Sequence, residues 1–467
     1  MPRRDPLEGR GERTDVGVEG DMTILRDRGT MSTELDRIAD LARDQKERQF
    51  TSIAHLLTVG ALERAWTSLR KDASAGVDGV TYGEYGGHVR ENLQQLHDRL
   101  KSGEYRAQPL RRVYIPKEAG TRRAISIPVL EDKIVQRAVL ELLNAIYEQD
   151  FLAGSYGFRP GRSAQDALDE VGRVLCQRPM RYVLEADICA YFDTIVRKEL
   201  MEWIEKRVRD GSILRLIGKW INVGVLEDGR LLITQTGVGQ GQVISPLLAN
   251  IYLHYVLDEW FEGVVKPRLR GQAYEIRYAD DFILCFQYRE DAEKVLAVLR
   301  KRFEKYGLTL HPDKTRLLEF GRDALVKWEM ERGPKPGTFD FLGFTHICRR
   351  SRRGNFTVHV RTMRKRLRRS LTRASAWCQR HRHDPVAEQC RALNAILRGH
   401  YQYYGRPTNF GSLWTFYRGV RRVWRKWLNR RTRGRSLPWR VYGELLNAHP
   451  LQRPYIARSW AGAGSRV

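Results

Sequence analysis

The stretch Tyr274-Glu275-Ile276-Arg277-Tyr278-Ala279-Asp280-Asp281-Phe282-Ile283-Leu284-Cys285-Phe286 reads as two apolar strands joined by a tight acidic turn. Carboxylates are rare on apolar strands because burying an unpaired charge is costly. A further one, Asp187, closes the apolar run Tyr182-Val183-Leu184-Glu185-Ala186 ahead of Ile188. Adjacent like charges repel, so the acidic turn calls for a compensating cation, and hard divalent metals take oxygen ligands while keeping positions open for phosphates and water. Two such ions about 4 Å apart would stabilise the attacking and leaving oxygens of a phosphoryl transfer. An acidic hairpin turn lying in solvent is the competing reading, and the Asp-Asp pair taken alone favours it.

Working outward, Val113-Tyr114-Ile115-Pro116-Lys117 and Ala124-Ile125-Ser126-Ile127-Pro128 flank a polar turn and read as a hairpin. A long helical pattern follows over 129–150, and Ser163 caps a helix through Ala164, Ala167, Leu168 and Val171. Upstream, apolar positions recur at helical spacing from about 33 to 70, and Thr81 caps a helix after the Gly76-Val77-Asp78-Gly79 turn. Downstream come a helix near 291–305, a turn at Leu310-His311-Pro312-Asp313-Lys314, and Phe341-Leu342-Gly343-Phe344. Beyond that the composition turns helical and basic, with Met363, Leu367 and Leu371 forming an i, i+4 stripe. A domain boundary is therefore expected near 345.

The 467 residues suffice for two or three domains. No apolar run reaches the roughly 20 residues of a membrane span. Met1-Pro2-Arg3-Arg4 precedes no apolar stretch, so a soluble, cytoplasmic protein without a signal is expected. Residues 1–32 read as a disordered extension, with Met31 an alternative start, and 456–467 as a tail. Six scattered cysteines fit a reducing compartment. Cys378, His381, His383 and Cys390 match no common zinc spacing, and packed thiols with surface histidines are the preferred reading.

Charge is the strongest compositional signal. From Arg349 onward, 29 Lys and Arg face only Asp384, Glu388 and Glu444, so this quarter carries the whole net charge of +26. Its arginines are interleaved with Trp377, Tyr401, Tyr403, Tyr404, Trp414, Trp424, Trp427 and Trp439. A disordered basic tail lacks such aromatics, so a folded nucleic-acid-binding domain is expected.

In this order, several stretches over roughly 50–455 resemble the reverse transcriptases encoded by bacterial group II introns, maturase region included. They are Ala75-Gly76-Val77-Asp78-Gly79; Ile115-Pro116-Lys117 with Arg123; Tyr156-Gly157-Phe158-Arg159-Pro160-Gly161-Arg162-Ser163; Asp187-Ile188 through Tyr191-Phe192-Asp193; Gln240-Gly241 leading to Ser245-Pro246-Leu247-Leu248; Tyr278-Ala279-Asp280-Asp281; Lys314; and Phe341-Leu342-Gly343-Phe344. The resemblance implies an α+β right-hand polymerase, with fingers and palm over 33–345 and a helical thumb and maturase domain over 346–455. The implied reaction is RNA-directed DNA synthesis from dNTPs on an RNA template with a DNA or RNA primer. The implied cofactor is two Mg²⁺ ions, with Mn²⁺ as substitute, and the implied partner is an intron RNA in a ribonucleoprotein.

By the same resemblance, Asp187 and Asp280 are direct metal ligands, Asp281 assists, and the backbone of Ile188 completes the shell. Lys117 and Arg123 grip the triphosphate, solvated charges on a turn being the alternative; Tyr191 excludes a ribose 2′-OH, an aromatic of the core being the alternative; and Gln240-Gly241 line the nucleotide, a helix-entry loop being the alternative. Lys314 neutralises the leaving pyrophosphate, with a surface lysine an equal alternative. Arg159 and Arg162 are candidate nucleic-acid contacts, as are Phe341 and Gly343 at the primer end, where core packing explains the phenylalanines equally well. In the basic region the candidates are Arg364, Arg368, Arg398, Tyr403, Arg421 and Arg425. Val238-Gly239-Gln240-Gly241-Gln242 departs from the family's common pattern, which leaves the nucleotide pocket open in detail. No Cys/His-rich nuclease module follows the basic domain in this sequence. Two rival readings stand beside the polymerase: a non-catalytic RNA-folding or splicing factor, and a domesticated relative in host defence or repair.

Overall fold

The computed structural model describes residues 31–116, 122–227, 229–233, 235–431 and 437–458. The expectations for 1–30, for Lys117 and for the tail beyond 458 lie outside the described residues. In chain order the strands are β1 (Leu110–Pro116), β2 (Arg122–Ile127), β3 (Tyr182–Asp187), β4 (Val225–Glu227), β5 (Arg230–Leu232), β6 (Ala273–Tyr278), β7 (Asp281–Phe286), β8 (Arg316–Glu319), β9 (Thr338–Phe341), β10 (Phe344–Arg350) and β11 (Phe356–Thr362). They form three sheets, ordered β2-β1-β4-β5, β6-β7-β3-β8 and β11-β10-β9. Apart from the short parallel β1–β4 pair, every named pairing is antiparallel. Helices pack around them, so the fold is α+β.

The central β6-β7-β3-β8 sheet is buried on both faces, and alternation along its strands assigns each residue to a side. Leu184, Ala186, Phe282, Leu284 and Phe286 join a core built around the Leu130–Tyr147 helix. Val183, Ile283 and Cys285 face a second core with the Ala164–Gln177 helix, β9–β11 and the C-terminal helices. Asp187 shares the parity of Val183, and Asp281 that of Ile283, so both carboxylates continue the second face past the rim of its apolar packing.

Local signals read from the sequence recur as geometry. Ser163 and Thr81 both close capping boxes, with Asp166 and Glu84 respectively. The β1–β2 hairpin pairs Val113 with Ile125, and Pro246 occupies the first turn of the Ser245–Leu253 helix. The boundary near 345 is different: it falls inside β10. Phe344-Thr345-His346-Ile347-Cys348 alternates buried and half-buried residues and pairs with β9 and β11. The arginines at 349–353 that suggested helix sit at the end and turn of this hairpin. The basic helices begin only at Arg364, with Arg364–Arg380, Val386–Tyr404, Phe410–Leu428 and Trp439–Ala448. Cys378 and Cys390 are buried in the second core, while His381 pairs with Asp384 at 2.8 Å.

Candidate active site

Asp187 and Asp281 are direct cross-strand partners in the antiparallel β3–β7 pair, and Asp280 occupies the turn between β6 and β7. Such partners carry their Cβ atoms on one face about 4.5–5.5 Å apart. The turn begins with Ala279 at φ +58°, a left-handed conformation that a residue with a Cβ holds only under constraint. Gly157 backs directly onto it: a Cβ there would lie 2.2 Å from the Ala279 nitrogen, so nothing larger than glycine fits.

Beyond β3 the chain forms an isolated antiparallel bridge between Ile188 and Leu310. The Cys189 amide donates to Thr309 O and the His311 amide to Asp187 O, each at 2.8 Å. These bonds flank the Ile188–Leu310 pair, so the peptide groups of Ile188 itself point away from 310, towards the side that carries Asp280–Asp281.

The electrostatics are those of crowded carboxylates. Enclosure by protein, then the neighbouring Asp280 charge, push Asp281 up to about 8, against the pull of the Leu342 main-chain N–H. Enclosure and the Asp187 charge raise Asp280, while Arg123 and Arg277 oppose the rise. Asp280 and Asp281 therefore each lose by being charged in this setting. One cation already answers this, since Lys314 Nζ lies 2.6 Å from Asp187 Oδ2. Among the described residues no three Asp, Glu, His or Cys side chains close into a ready-made metal cluster. The donor set still fits a hard divalent ion: oxygens only, with surplus negative charge and an ammonium holding the place of positive charge.

Around this centre, Arg123 stands exposed on β2 opposite Ile115. Gln240 O accepts the Ser126 amide at 2.7 Å, which ties the glycine-rich loop to the same hairpin. Gly241 has φ +123°, and a Cβ there would meet Ser126 O at 2.6 Å. Gln242, which departs from the family pattern, is buried between Gln136 Nε2 (2.8 Å) and Trp220 O (3.1 Å), so its side chain anchors the loop.

Several sequence-derived candidates sit elsewhere than expected. Tyr191 is 3% exposed and its hydroxyl donates to Ala249 O at 2.5 Å, so this ring belongs to the core. Its neighbour Phe192 is only half-buried. Arg159 is buried: it pairs with Glu148 at 3.0 Å and donates to Leu152 O and Ser155 O at 2.8 Å, which commits the guanidinium to the fold. Arg162 donates to Ala153 O and lies over the Tyr156 ring, but remains half-exposed. Phe341 is buried in the second core, and Gly343 (φ +81°) lies against the Tyr404 hydroxyl. The link from this turn to the site is the Leu342 amide on Asp281.

In the basic region Arg364, Arg368 and Arg398 are exposed. Tyr403 is half-buried and donates to Leu342 O at 2.9 Å. Arg421 lies over Tyr417, and Arg425 stacks 3.9 Å from the centre of the exposed Trp439 ring. Sequence reasoning missed two residues next to the centre. Phe158 is 50% exposed beside Tyr278, and its positive φ has no sequence signal. Arg277 is wholly buried although it belongs to the strand that leads into the acidic turn.

No helix among the described residues is long and apolar enough to cross a membrane. Residues 115–346 match the family model described as reverse transcriptase (RNA-dependent DNA polymerase). The chain is 36% identical over 313 residues to protein YkfC of Escherichia coli K12, covering 61% of this chain and 78% of that protein. It is 31% identical over 302 residues to the group II intron-encoded protein LtrA of Lactococcus lactis, covering 62% of this chain but only half of LtrA. A 91 kDa protein in the cob intron of Schizosaccharomyces pombe is 34% identical over 292 residues, 60% of this chain and 36% of its own length. The family uses divalent metal ions and works on an RNA template with a primer. With its acidic turn, flanking loops and these relatives, the chain belongs to the reverse transcriptases of the group II intron-encoded type.

Proposed function

We propose that this protein copies RNA into cDNA by nucleotidyl transfer at Asp187, Asp280 and Asp281, and that its basic C-terminal region binds intron RNA and assists splicing and mobility in a cytoplasmic ribonucleoprotein. The observation that carries the reading is the pairing of Asp187 with Asp281 across β3 and β7, with Asp280 in the adjoining turn. On this reading the β2-β1-β4-β5 sheet belongs to the fingers, the central sheet is the palm, and the helices from Arg364 form the thumb and maturase region.

Asp187, Asp280 and the Ile188 carbonyl would hold Mg²⁺, or Mn²⁺ in its place, with Asp281 assisting. Bound there, a pair of such ions lowers the cost of charge on the attacking and leaving oxygens. The chain's own groups do the rest. Arg123, together with Lys117, binds the triphosphate as a charge-assisted donor. The Gln240–Gly241 backbone, fixed on Ser126, sets how closely the nucleotide approaches. Lys314, which pairs with Asp187 at 2.6 Å, would supply the cation for the leaving pyrophosphate. Tyr191 braces the turn from inside, which leaves Phe192 as the ring on that turn able to face a ribose.

Primer extension on an RNA template with dNTPs and Mg²⁺ tests the reading. Asp280→Ala with Asp281→Ala should abolish extension while the protein stays folded; normal incorporation by that variant would sink the mechanism.

A further inference from the structure

Arg277 and, two residues before it, Glu275 interrupt the apolar run of β6, and Arg277 is 0% exposed. It lies on the face of β6 opposite Asp187 and Asp281, beneath the sheet. A guanidinium carries five N–H donors in a rigid fork, and here all five are spent. Nε donates to Asp258 Oδ1 at 2.8 Å, and Nη2 to Asp258 Oδ2 at 2.5 Å and to Ser155 Oγ at 2.8 Å. Nη1 donates to Asn250 Oδ1 at 3.1 Å and to Ala279 O at 2.9 Å. The last acceptor is the main-chain carbonyl of the left-handed residue immediately before Asp280.

The partners of Arg277 are themselves fixed. Asn250 Nδ2 donates to Gly157 O at 2.5 Å, and Gly157 is the residue whose missing side chain lets the chain lie against the Ala279 nitrogen. The main chain of Arg277 bridges the same segment, accepting from the Tyr156 amide and donating to Gly154 O, each at 2.8 Å. Asp258 sits in a π-helical turn, His254–Asp258, that extends the Ser245–Leu253 helix. Such turns widen a helix locally and recur at functional sites. Here the turn presents Asp258 to the guanidinium.

We propose that Arg277 is a positioning residue for polymerisation: it holds the Ala279 carbonyl from beneath the sheet and so sets where the Asp280 carboxylate points. Ser155, Gly157, Asn250 and Asp258 form the bracket that keeps the guanidinium in register. The 154–159 segment thereby acts on catalysis through the turn. This rests on the polymerase reading. The bracket ties three parts of the chain, 154–159, 250–258 and 277–281, to one carbonyl, which is why a loop lacking any charged side chain near the carboxylates can still control them.

Three variants test the proposal, each compared with the wild type in steady-state primer extension, thermal unfolding, and Mn²⁺ binding to nucleic-acid-free protein followed by electron paramagnetic resonance. Arg277→Lys keeps a charge against Asp258, but an ammonium cannot span all four partners. Arg277→Met with Asp258→Leu removes both charges of the pair, a replacement that need not destabilise, while burial holds the neighbouring Glu275, 4.0 Å from the guanidinium, towards its neutral form. Asn250→Ala removes one neutral acceptor of the guanidinium and the donor to Gly157 O, and strands no charge. Misplacing a catalytic group by about 1 Å costs up to about 100-fold in rate. Arg277→Lys and the double variant should therefore lose about 10- to 100-fold in kcat with KM for dNTP nearly unchanged, and bind Mn²⁺ more weakly. Asn250→Ala should show the same split at smaller amplitude. Wild-type kcat and Mn²⁺ binding in any folded variant overturns the proposal, as does a loss that merely follows the unfolded fraction. Absence of extension by the wild-type protein would instead count against the polymerase reading itself.

Discussion

Two regions of this chain use arginine for opposite ends. Residues 1–348 contain equal numbers of basic and acidic side chains, and there the buried arginines are matched to acids. Arg159 meets Glu148, Arg207 meets Asp150 and Arg277 meets Asp258, with exposures of 7%, 3% and 0%. From Arg349 on, the three local acids are taken by His381, Arg391 and Arg440. A few cations reach back to acids of the body: Arg350 to Glu329, Arg406 to Asp169, and Arg458 to Asp166. Most of the excess must face solvent, as Arg364, Lys365 and Arg368 do along a groove of about 750 Å³. An arginine is architectural where an acid is buried with it. Without one, its charge stays available for a polyanion.

Arg406 gives the hardest test of that division, because it belongs to the basic region by sequence and to the body by partners. It is 2% exposed, donating to Asp169 Oδ1 and Gln165 Oε1 at 2.8 Å and to Gln165 O at 2.9 Å. Removing it strands Asp169 and the Gln165 groups between the Ala164–Gln177 helix and the C-terminal helices. Arg406→Ala should cost about 3–5 kcal/mol in urea unfolding, the usual penalty for breaking a buried pair. Arg159→Ala should behave alike, with RNA affinity of the folded protein unchanged. A surface-like cost below about 0.5 kcal/mol for either would erase the distinction.

The two cores should also respond to acid with opposite sign. In the second core, burial pushes His346 down to about 3, helped by the Arg406 charge, and burial alone does the same to His400. Both stay neutral when folded but take a proton near 6.5 when unfolded. The unfolded state thus binds more protons between about 3 and 6.5, and stability present above 6.5 is lost as pH falls. By pH 5 each histidine should cost about 2 kcal/mol. In the first core, burial raises Asp132 to about 6 despite the Tyr105 hydroxyl and the Gln108 amide it accepts. A raised carboxylate contributes stability at low pH that is lost as pH rises through 6. Urea midpoints at pH 7 and pH 5 should show a smaller acid loss for His346→Phe than for wild type, and a larger one for Asp132→Asn. Equal losses in all three would refute the assignment.

The acidic turn was legible as a hairpin because the runs on either side of it read as strands, but as a candidate metal site only through the ordered motifs around it, since the Asp pair taken alone favours a turn lying in solvent. Capping boxes and the β1–β2 hairpin were legible because their signals are local. Burial of polar residues was not, since it depends on partners remote in sequence. Nothing near Arg159 announces Glu148 as its counter-ion, and nothing near Tyr191 announces the Ala249 carbonyl. The β10–β11 hairpin was hidden by its own turn, where a run of arginines imitates the helices that follow. Arg277 stands only three residues before Asp280, yet an arginine on a strand reads as a solvent-facing residue until Asp258, Asn250 and Ser155 surround it.

The exposed cations predict the smallest effect on folding. Arg364, Lys365 and Arg368 share one helix with the half-buried Leu367 and Leu371, which pack inward and leave the charges along the groove. Changing all three to Gln should leave stability within about 0.5 kcal/mol, because no buried partner is stranded. Affinity for structured RNA should fall, and the slope of log affinity against log salt should flatten by about 2–3 units, near 0.7–0.9 for each phosphate that is no longer neutralised. Binding measured between 50 and 200 mM salt supplies that slope. An unchanged slope would mean that the surplus charge meets RNA on another face, such as the Arg425–Trp439 stack. A stability loss comparable to Arg406→Ala would instead mean that these arginines, like those of the body, are held by partners in the fold.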